Sequence, residues 1–316
     1  MGGSVIFLVV GLVVGLAVLA LAADQFVLGA SRLAHQMNVP TVVMGALILG
    51  FGTSAPEFVV STWAARQGEV NLGLGNIVGS NVANLTFVLG VAAFIRPITV
   101  PTGTLSRGFL SLGGVLIFAA LVQNEMTNGQ GLVLLAVFVM SMVLMVRLHT
   151  AEETPPPAIP ESKRSISPWL RAGAGLLGTM AAAQVVVGAS TDLIETLNLS
   201  GGFVGFSMVA LGTSLPELVT VGAAARRNET GLILGNLLGS NLFNSLAVGA
   251  GLFLAGPGTL SDVFMQTRGV LAMVAVAVLA LALMATGRVV GRREGAVLVL
   301  TYLGVLAYLG FNAALT

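Results

Sequence analysis

Long apolar segments alternate along the chain with short breaks that are rich in charged residues, proline and glycine. Each segment has about 17 to 25 residues, the length an α-helix needs to cross a bilayer core of about 30 Å. The pattern predicts ten transmembrane helices. They are expected near 4–22, 42–65, 71–95, 107–123, 130–147, 169–190, 202–225, 231–255, 269–286 and 295–314.

One long polar interruption, 149–167, combines acidic and basic residues with four prolines. Clustered charge and proline are typical of a solvated linker. The chain is therefore predicted to have a first five-helix repeat at 1–148, a linker at 149–167 and a second five-helix repeat at 168–316.

Composition supports a membrane protein, because 56% of the 316 residues are hydrophobic and only 9% are charged. Ordinary soluble domains carry about 25% charged residues. The expected fold class is therefore an all-α integral membrane protein.

A net charge of +1 argues against a nucleic-acid partner. The absence of cysteine and the presence of only two histidines exclude thiolate and multi-histidine metal sites.

The first apolar segment lacks a basic region before it, since the first positive residue is Arg32. We therefore interpret it as an uncleaved helix rather than a signal peptide. Ten spans place twelve of the 14 Lys and Arg residues on the side of the linker, and only Arg66 and Arg268 on the other. The positive-inside rule then predicts a cell (inner) membrane protein with a cytoplasmic linker and both termini outside.

The two halves share sequence motifs that are offset by 160 residues. The segment Gly52–Glu57 (GTSAPE) recurs as Gly212–Glu217 (GTSLPE), and Gly75–Asn84 (GNIVGSNVAN) recurs as Gly235–Asn244 (GNLLGSNLFN). Because five helices is an odd number, the second copy must cross the membrane in the opposite direction. Inverted repeats of this kind are typical of secondary transporters.

Glu57 and Glu217 are the acidic residues deepest within the predicted spans. A carboxylate at that depth costs roughly 3 kcal/mol on insertion scales and normally indicates a function. Thr and Ser lie four and three residues before each glutamate, on the same helical face. A polar stripe at spacings of four follows on the next helix of each half. These residues are Thr53, Ser54, Asn76, Ser80 and Asn84, with Thr213, Ser214, Asn236, Ser240 and Asn244.

Proline and glycine in the motifs add two further expectations. Pro56 and Pro216 lack the N–H that would bond the carbonyl four residues earlier, which leaves those oxygens available. The glycine pairs spaced by four allow neighbouring helices to approach closely. All candidate ligands are oxygen atoms, which suits Na⁺ and Ca²⁺. Two carboxylates balance the charge of one Ca²⁺ or of two Na⁺, so the ions could compete.

At these residues the sequence resembles the Ca²⁺/cation antiporter superfamily, and within it the prokaryotic sodium/calcium exchangers. The resemblance implies a cluster of cation sites lined by the second, third, seventh and eighth helices. It also implies that the first and sixth helices slide across this core. The implied ligands are Thr53, Ser54, Glu57, Ser80, Asn84, Thr213, Ser214, Glu217, Ser240 and Asn244, with backbone carbonyls near Gly50 and Ala210.

Asn244 departs from well-known sodium/calcium members, which carry Asp at this position. The expected function is exchange of Ca²⁺ for Na⁺ by alternating access, with the bilayer as environment, no cofactor and no obligatory protein partner. A superfamily antiporter coupled to H⁺ or K⁺, or carrying another divalent cation, is the alternative. A cation channel, an intramembrane hydrolase and a structural scaffold are weaker alternatives. The last of these leaves both buried glutamates unexplained.

Overall fold

The computed structural model describes residues 2–36, 50–101, 103–147, 166–228 and 230–313. Within these ranges, eight helical stretches are long and apolar enough to cross a membrane, and a shorter apolar helix covers Asn128–Leu144. The prediction of an all-α integral membrane protein is thereby confirmed. The start of the second predicted span and nearly all of the predicted linker lie outside the described residues, so the division into two five-helix domains stays a prediction.

The helices of the first half follow the predicted spans closely. They are α1 (Gly2–Gln36), α2 (Gly50–Thr53), α3 (Ala55–Arg66), α4 (Val70–Ala83), α5 (Leu89–Ile95), α6 (Thr104–Leu121) and α7 (Asn128–Arg147). A π-helical turn, Asn84–Val88, joins α4 to α5 into one continuous span. Helix α1 extends past its predicted end at 22 because hydropathy marks where lipid ends, and polar residues can continue a helix.

The second half contains a corresponding series of helices. Its helices are α8 (Pro168–Leu197), α9 (Gly201–Val204), α10 (Ala210–Thr213), α11 (Leu215–Arg227), α12 (Thr230–Phe243), α13 (Gly249–Ala255), α14 (Val270–Ala285) and α15 (Arg292–Ala313). Three π-helical turns lie within these spans: Gly205–Val209, Asn244–Val248 and Met265–Gly269.

Contacts between connecting segments agree with the ten-span order. Strand β1 (Ile98–Thr99) pairs antiparallel with β2 (Val289–Val290), and both follow spans that end on the predicted cytoplasmic side. On the opposite side, Met126 bridges to Gly258. Each contact joins two connections that alternate-side counting places on the same face of the membrane.

The backbone is broken at the same point of both repeats. Ser54 has φ −92° and ψ 7°, and Ser214 has φ −84° and ψ 7°. Pro56 and Pro216 then lie in the first turn of α3 and α11, where a helix needs no N–H from them. Each glutamate therefore stands one residue after a proline, immediately beyond a helix break at the middle of its span.

Backbone-to-backbone packing brings the two repeats together. A Cβ on Gly79 would overlap the Phe206 carbonyl oxygen and lie 2.6 Å from Ala210 Cβ, and a Cβ on Gly75 would overlap the Gly202 oxygen. These contacts hold α4 of the first repeat directly against the α9–α10 segment of the second, and they confirm the expected close approach at the first glycine pair. At the second pair the expectation is wrong, because a Cβ on Gly235 or Gly239 would meet no atom within 4 Å.

Helices α1 and α8 pack along each other in opposite directions. A Cβ on Gly29 would overlap the backbone of Ala172, and one on Gly175 would overlap the Phe26 nitrogen. Leu12, Leu19, Ala183, Val186 and neighbouring side chains form an apolar cluster distinct from the main core. The helix pair thus rests on the remaining helices through apolar contacts.

We predict that Gly79→Ala destabilises the protein. The added methyl group meets backbone atoms that cannot rotate away, and overpacking of this kind costs about 1–3 kcal/mol. Thermal unfolding of the purified protein in detergent checks the change. Gly113→Ala in α6 is the control, because its Cβ would meet no atom within 4 Å. Equal melting temperatures for the two variants would contradict the proposed contact between repeats.

Candidate cation site

Glu57 and Glu217 are both fully buried, with 0% relative exposure. Among the side chains whose burial the structure describes, they are the only buried Asp, Glu, Lys, Arg or His residues. Each lies in the first turn of a helix, α3 or α11, directly after the break described above. The positive end of a helix dipole therefore faces each carboxyl group.

Hydrogen bonds connect each glutamate to the opposite repeat. Ser54 Oγ donates to Glu217 Oε1 at 2.9 Å, and Ser214 Oγ donates to Glu57 Oε1 at 3.1 Å. Each carboxyl group is thus bound by the serine that lies three residues before the other one. The two motifs that repeat in sequence meet at one place in the fold.

The neighbouring threonines show the same reciprocity. Thr53 Oγ1 donates to Asn236 Oδ1, and Thr213 Oγ1 donates to Asn76 Oδ1, both at 3.2 Å. Thr53 Oγ1 also lies 3.4 Å from Ser240 Oγ, and Thr213 Oγ1 lies 3.5 Å from Ser80 Oγ. Every one of these contacts has a counterpart offset by 160 residues, so a local pseudo-two-fold relation connects them.

The contacts define two half-sites that we name by their glutamates. The Glu57 half-site contains Glu57, Asn76, Ser80, Thr213 and Ser214. The Glu217 half-site contains Glu217, Asn236, Ser240, Thr53 and Ser54. Each half-site takes residues from both repeats, so neither repeat can form one alone.

Several buried oxygen atoms of the expected ligands have no hydrogen-bond partner. They are Glu57 Oε2, Glu217 Oε2 and the Oδ1 atoms of Asn84 and Asn244. A buried unpaired polar atom costs about 1–3 kcal/mol. Asn84 and Asn244 each begin a π-helical turn, a feature that is frequent at functional sites. Unpaired carboxylate and amide oxygens are the atoms that a hard cation would coordinate.

The proposed backbone ligands are less accessible than these side chains. The Ala210 oxygen accepts from Ser214 N at 3.0 Å. Thr213 Oγ1 also lies 3.2 Å from this oxygen, but its single proton can be donated either to Ala210 or to Asn76 Oδ1. Gly50 begins α2, and its role as a ligand stays a prediction.

Two kinds of residue were absent from the expected ligand set. Asn76 and Asn236 belong to the polar stripes, but their function in holding the two threonines depends on contacts between repeats. Ser61 lies outside the expected set, although it follows Glu57 by four residues and so extends the Thr53–Glu57 face. Its Oγ accepts from Asn76 Nδ2 at 2.9 Å.

The sequence pattern of the family described as sodium/calcium exchanger protein matches residues 7–147 and 167–311. The chain belongs to this family. The match covers both halves and leaves out most of the predicted linker. It includes both copies of the doubled motif.

Individual relatives agree with this assignment. CaxA of Alkalimonas amylolytica is 34% identical over 316 residues, covering 95% of this chain and 97% of its own. The sodium/calcium exchanger MaX1 of Methanosarcina acetivorans is 29% identical over 342 residues, covering 94% and 97%. The solved structure of the sodium–calcium exchanger NCX_Mj soaked with Na⁺ and Sr²⁺ superimposes with a TM-score of 0.67 at 31% identity, covering 96% of this chain and 99% of that one.

We predict that Ser54→Ala and Ser214→Ala each weaken cation binding. Each removes the reciprocal hydroxyl of one half-site, which is both a hydrogen-bond donor and a candidate ligand. A loss of about 1.4 kcal/mol corresponds to roughly tenfold weaker binding. Thermal stabilisation measured against CaCl₂ concentration gives the half-saturating value. Ser141→Ala, a buried serine in α7, is the control. An unchanged half-saturating concentration in either site variant would contradict the role of that serine in the site.

Proposed function

We propose that this protein exchanges Ca²⁺ for Na⁺ across the membrane by alternating access at the two half-sites. The observation that carries the proposal is the reciprocal bonding of two fully buried glutamates, one from each repeat. Membership of the sodium/calcium exchanger family supports the class of transport. The ligands we propose are the twelve residues expected from the sequence, including the Gly50 and Ala210 carbonyls.

The charge of the site limits the ions that can compete there. Asn84 and Asn244 have neutral amides, so the central residues contribute at most −2, from Glu57 and Glu217. One Ca²⁺ neutralises that charge, whereas three Na⁺ leave about +1. With three Na⁺ exchanged for one Ca²⁺, net charge crosses the membrane in each cycle. Transport would then respond to membrane potential.

Occlusion favours an antiporter over a channel. The side chains of Glu57, Glu217, Asn84 and Asn244 are all fully buried. An ion can therefore enter or leave only after the protein has changed conformation. A channel would need a continuous open path past the same side chains.

Helices α1 and α8 are the elements we assign to this change. Leu16 of α1 packs against Gly212, where a Cβ would overlap the leucine side chain. Gly212 precedes Thr213 of the Glu57 half-site. Movement of α1 along its apolar contacts would therefore open or cover the site. We further propose that the termini lie outside the cell and the linker lies in the cytoplasm.

Reconstitution tests the proposal directly. Proteoliposomes loaded with Na⁺ and diluted into Na⁺-free buffer should take up ⁴⁵Ca²⁺, and uptake should stop when the Na⁺ gradient is abolished. Valinomycin with K⁺ sets the membrane potential and should change the rate. Equal uptake driven by a K⁺ or H⁺ gradient alone would contradict Na⁺ coupling. Uptake without any counter-ion gradient would instead indicate a channel.

Removal of either carboxylate should abolish Ca²⁺ transport. Glu57→Gln and Glu217→Gln each preserve side-chain shape but leave the site with a charge of only −1, which cannot neutralise Ca²⁺. Uptake at saturating Ca²⁺ is expected to fall at least about 100-fold, a barrier change of roughly 2.7 kcal/mol. Gel filtration and melting curves establish that the variants fold. Ser106→Ala, outside the site, should transport normally. Wild-type uptake by either folded Gln variant would remove that glutamate from the site.

A further inference from the structure

The two half-sites differ in the support of their asparagines. Asn76 Nδ2 donates to Ser61 Oγ at 2.9 Å and to the Glu57 carbonyl oxygen at 3.4 Å. Ser61 Oγ in turn donates to the Gly73 carbonyl oxygen at 3.3 Å. We call this chain from Asn76 through Ser61 to Gly73 the brace. It connects α3 to α4 beside Glu57.

The Glu217 half-site has no corresponding brace. The residues 160 positions after Ser61 and Gly73 are Val221 and Ile233, both buried and apolar. Asn236 is only 3% exposed, and its Nδ2 atom has no hydrogen-bond partner. Its Oδ1 atom accepts from Thr53 and from Ser240. One amide is therefore fixed at both ends, and the other is fixed only through its oxygen.

Glycine at position 73 is what lets the brace form. A Cβ there would lie 3.0 Å from the Ser61 carbonyl oxygen, so α3 and α4 approach closely at this level. Isoleucine at position 233 adds a branched side chain at the matching place in α12. In the second repeat, Val221 therefore lacks the hydroxyl of Ser61, and Ile233 has a side chain at the position where Gly73 has none.

The fixed amide of Asn76 presents its oxygen to Thr213 in one orientation. Thr213 is itself a candidate ligand. Such preorganisation raises affinity because binding does not have to order the ligands. The side-chain amide of Asn236 can rotate without breaking a hydrogen bond at Nδ2, because that atom makes none. Its half-site must therefore be ordered when the cation binds.

We propose that Ser61 is a positioning residue that makes the Glu57 half-site the preorganised, higher-affinity one. The Glu217 half-site is the adaptable one. The identity of the ions rests on the proposed function, but the difference between the half-sites does not. Ser61 acts through Asn76 and need not contact the cation.

Three variants test this difference: Ser61→Ala, Ser61→Thr and Val221→Thr. Thermal stabilisation is titrated with NaCl balanced by choline chloride, and separately with CaCl₂. We expect Ser61→Ala to raise the half-saturating Na⁺ concentration about fivefold. Ser61→Thr, which keeps the hydroxyl, should leave this concentration near the wild-type value. Val221→Thr, which replaces one methyl group of valine by a hydroxyl and keeps its shape, should lower it by supplying a partner for Asn236. The double variant Ser61→Ala/Val221→Thr should lie near the wild type.

Flux measurements separate positioning from a general structural role. In Ser61→Ala the concentration of ion that gives half-maximal uptake should rise, while the maximal rate changes less than twofold. Ser141→Ala should leave both unchanged. A lower melting temperature of the cation-free protein with unchanged half-saturating concentrations would overturn the proposal, as would failure of Ser61→Thr to restore affinity.

The proposal and the proposed function can fail separately. If the wild type binds Na⁺ and Ca²⁺ but does not couple their movement, the exchange assignment is wrong, and the shifts in affinity still test the brace. If the wild type exchanges the ions but the Ser61 variants bind them with unchanged affinity, the proposed role of Ser61 is wrong and the exchange assignment stands.

Discussion

The cost of burying two carboxyl groups within the membrane is the constraint on which the rest of the structure depends. Glu57 and Glu217 are fully enclosed, so each needs compensating polar contacts. The protein supplies them reciprocally, through the serine of the opposite repeat. The helix breaks at Ser54 and Ser214 and the glycine contacts at Gly75 and Gly79 bring these groups within reach of one another. A cation that coordinates the unpaired carboxylate oxygens would complete the compensation.

Duplication explains both the symmetry of the site and its departure from symmetry. Two copies of one motif, predicted to cross the membrane in opposite directions, give two half-sites with corresponding serine, threonine, asparagine and glutamate residues. Later substitution could then change one copy alone. Ser61 and Gly73 support Asn76, whereas Val221 and Ile233 stand at the matching places. A transporter whose half-sites differ in rigidity can bind and release successive ions at different concentrations.

Much of the fold could be predicted from sequence because lipid imposes a simple rule on helix length and polarity. The helical class, the span positions and the doubled motif all follow from local patterns. The reciprocity of Ser54 with Glu217 could not be predicted, because it joins residues 163 positions apart. The support of Asn76 by Ser61 was missed for a similar reason: spacing places Ser61 on the right face of α3, but only packing against α4 gives it a partner. Helix ends such as Gln36 also escaped prediction, since hydropathy does not mark them.

Equilibrium competition between the two ions tests the central claim, which is that Na⁺ and Ca²⁺ share one site formed by both repeats. Ca²⁺ binding to the purified wild-type protein is titrated calorimetrically at a series of Na⁺ concentrations, with choline holding ionic strength constant. The account predicts one Ca²⁺ per chain and an apparent Kd that rises with more than the first power of Na⁺ concentration. An apparent Kd that does not respond to Na⁺ would contradict a shared site.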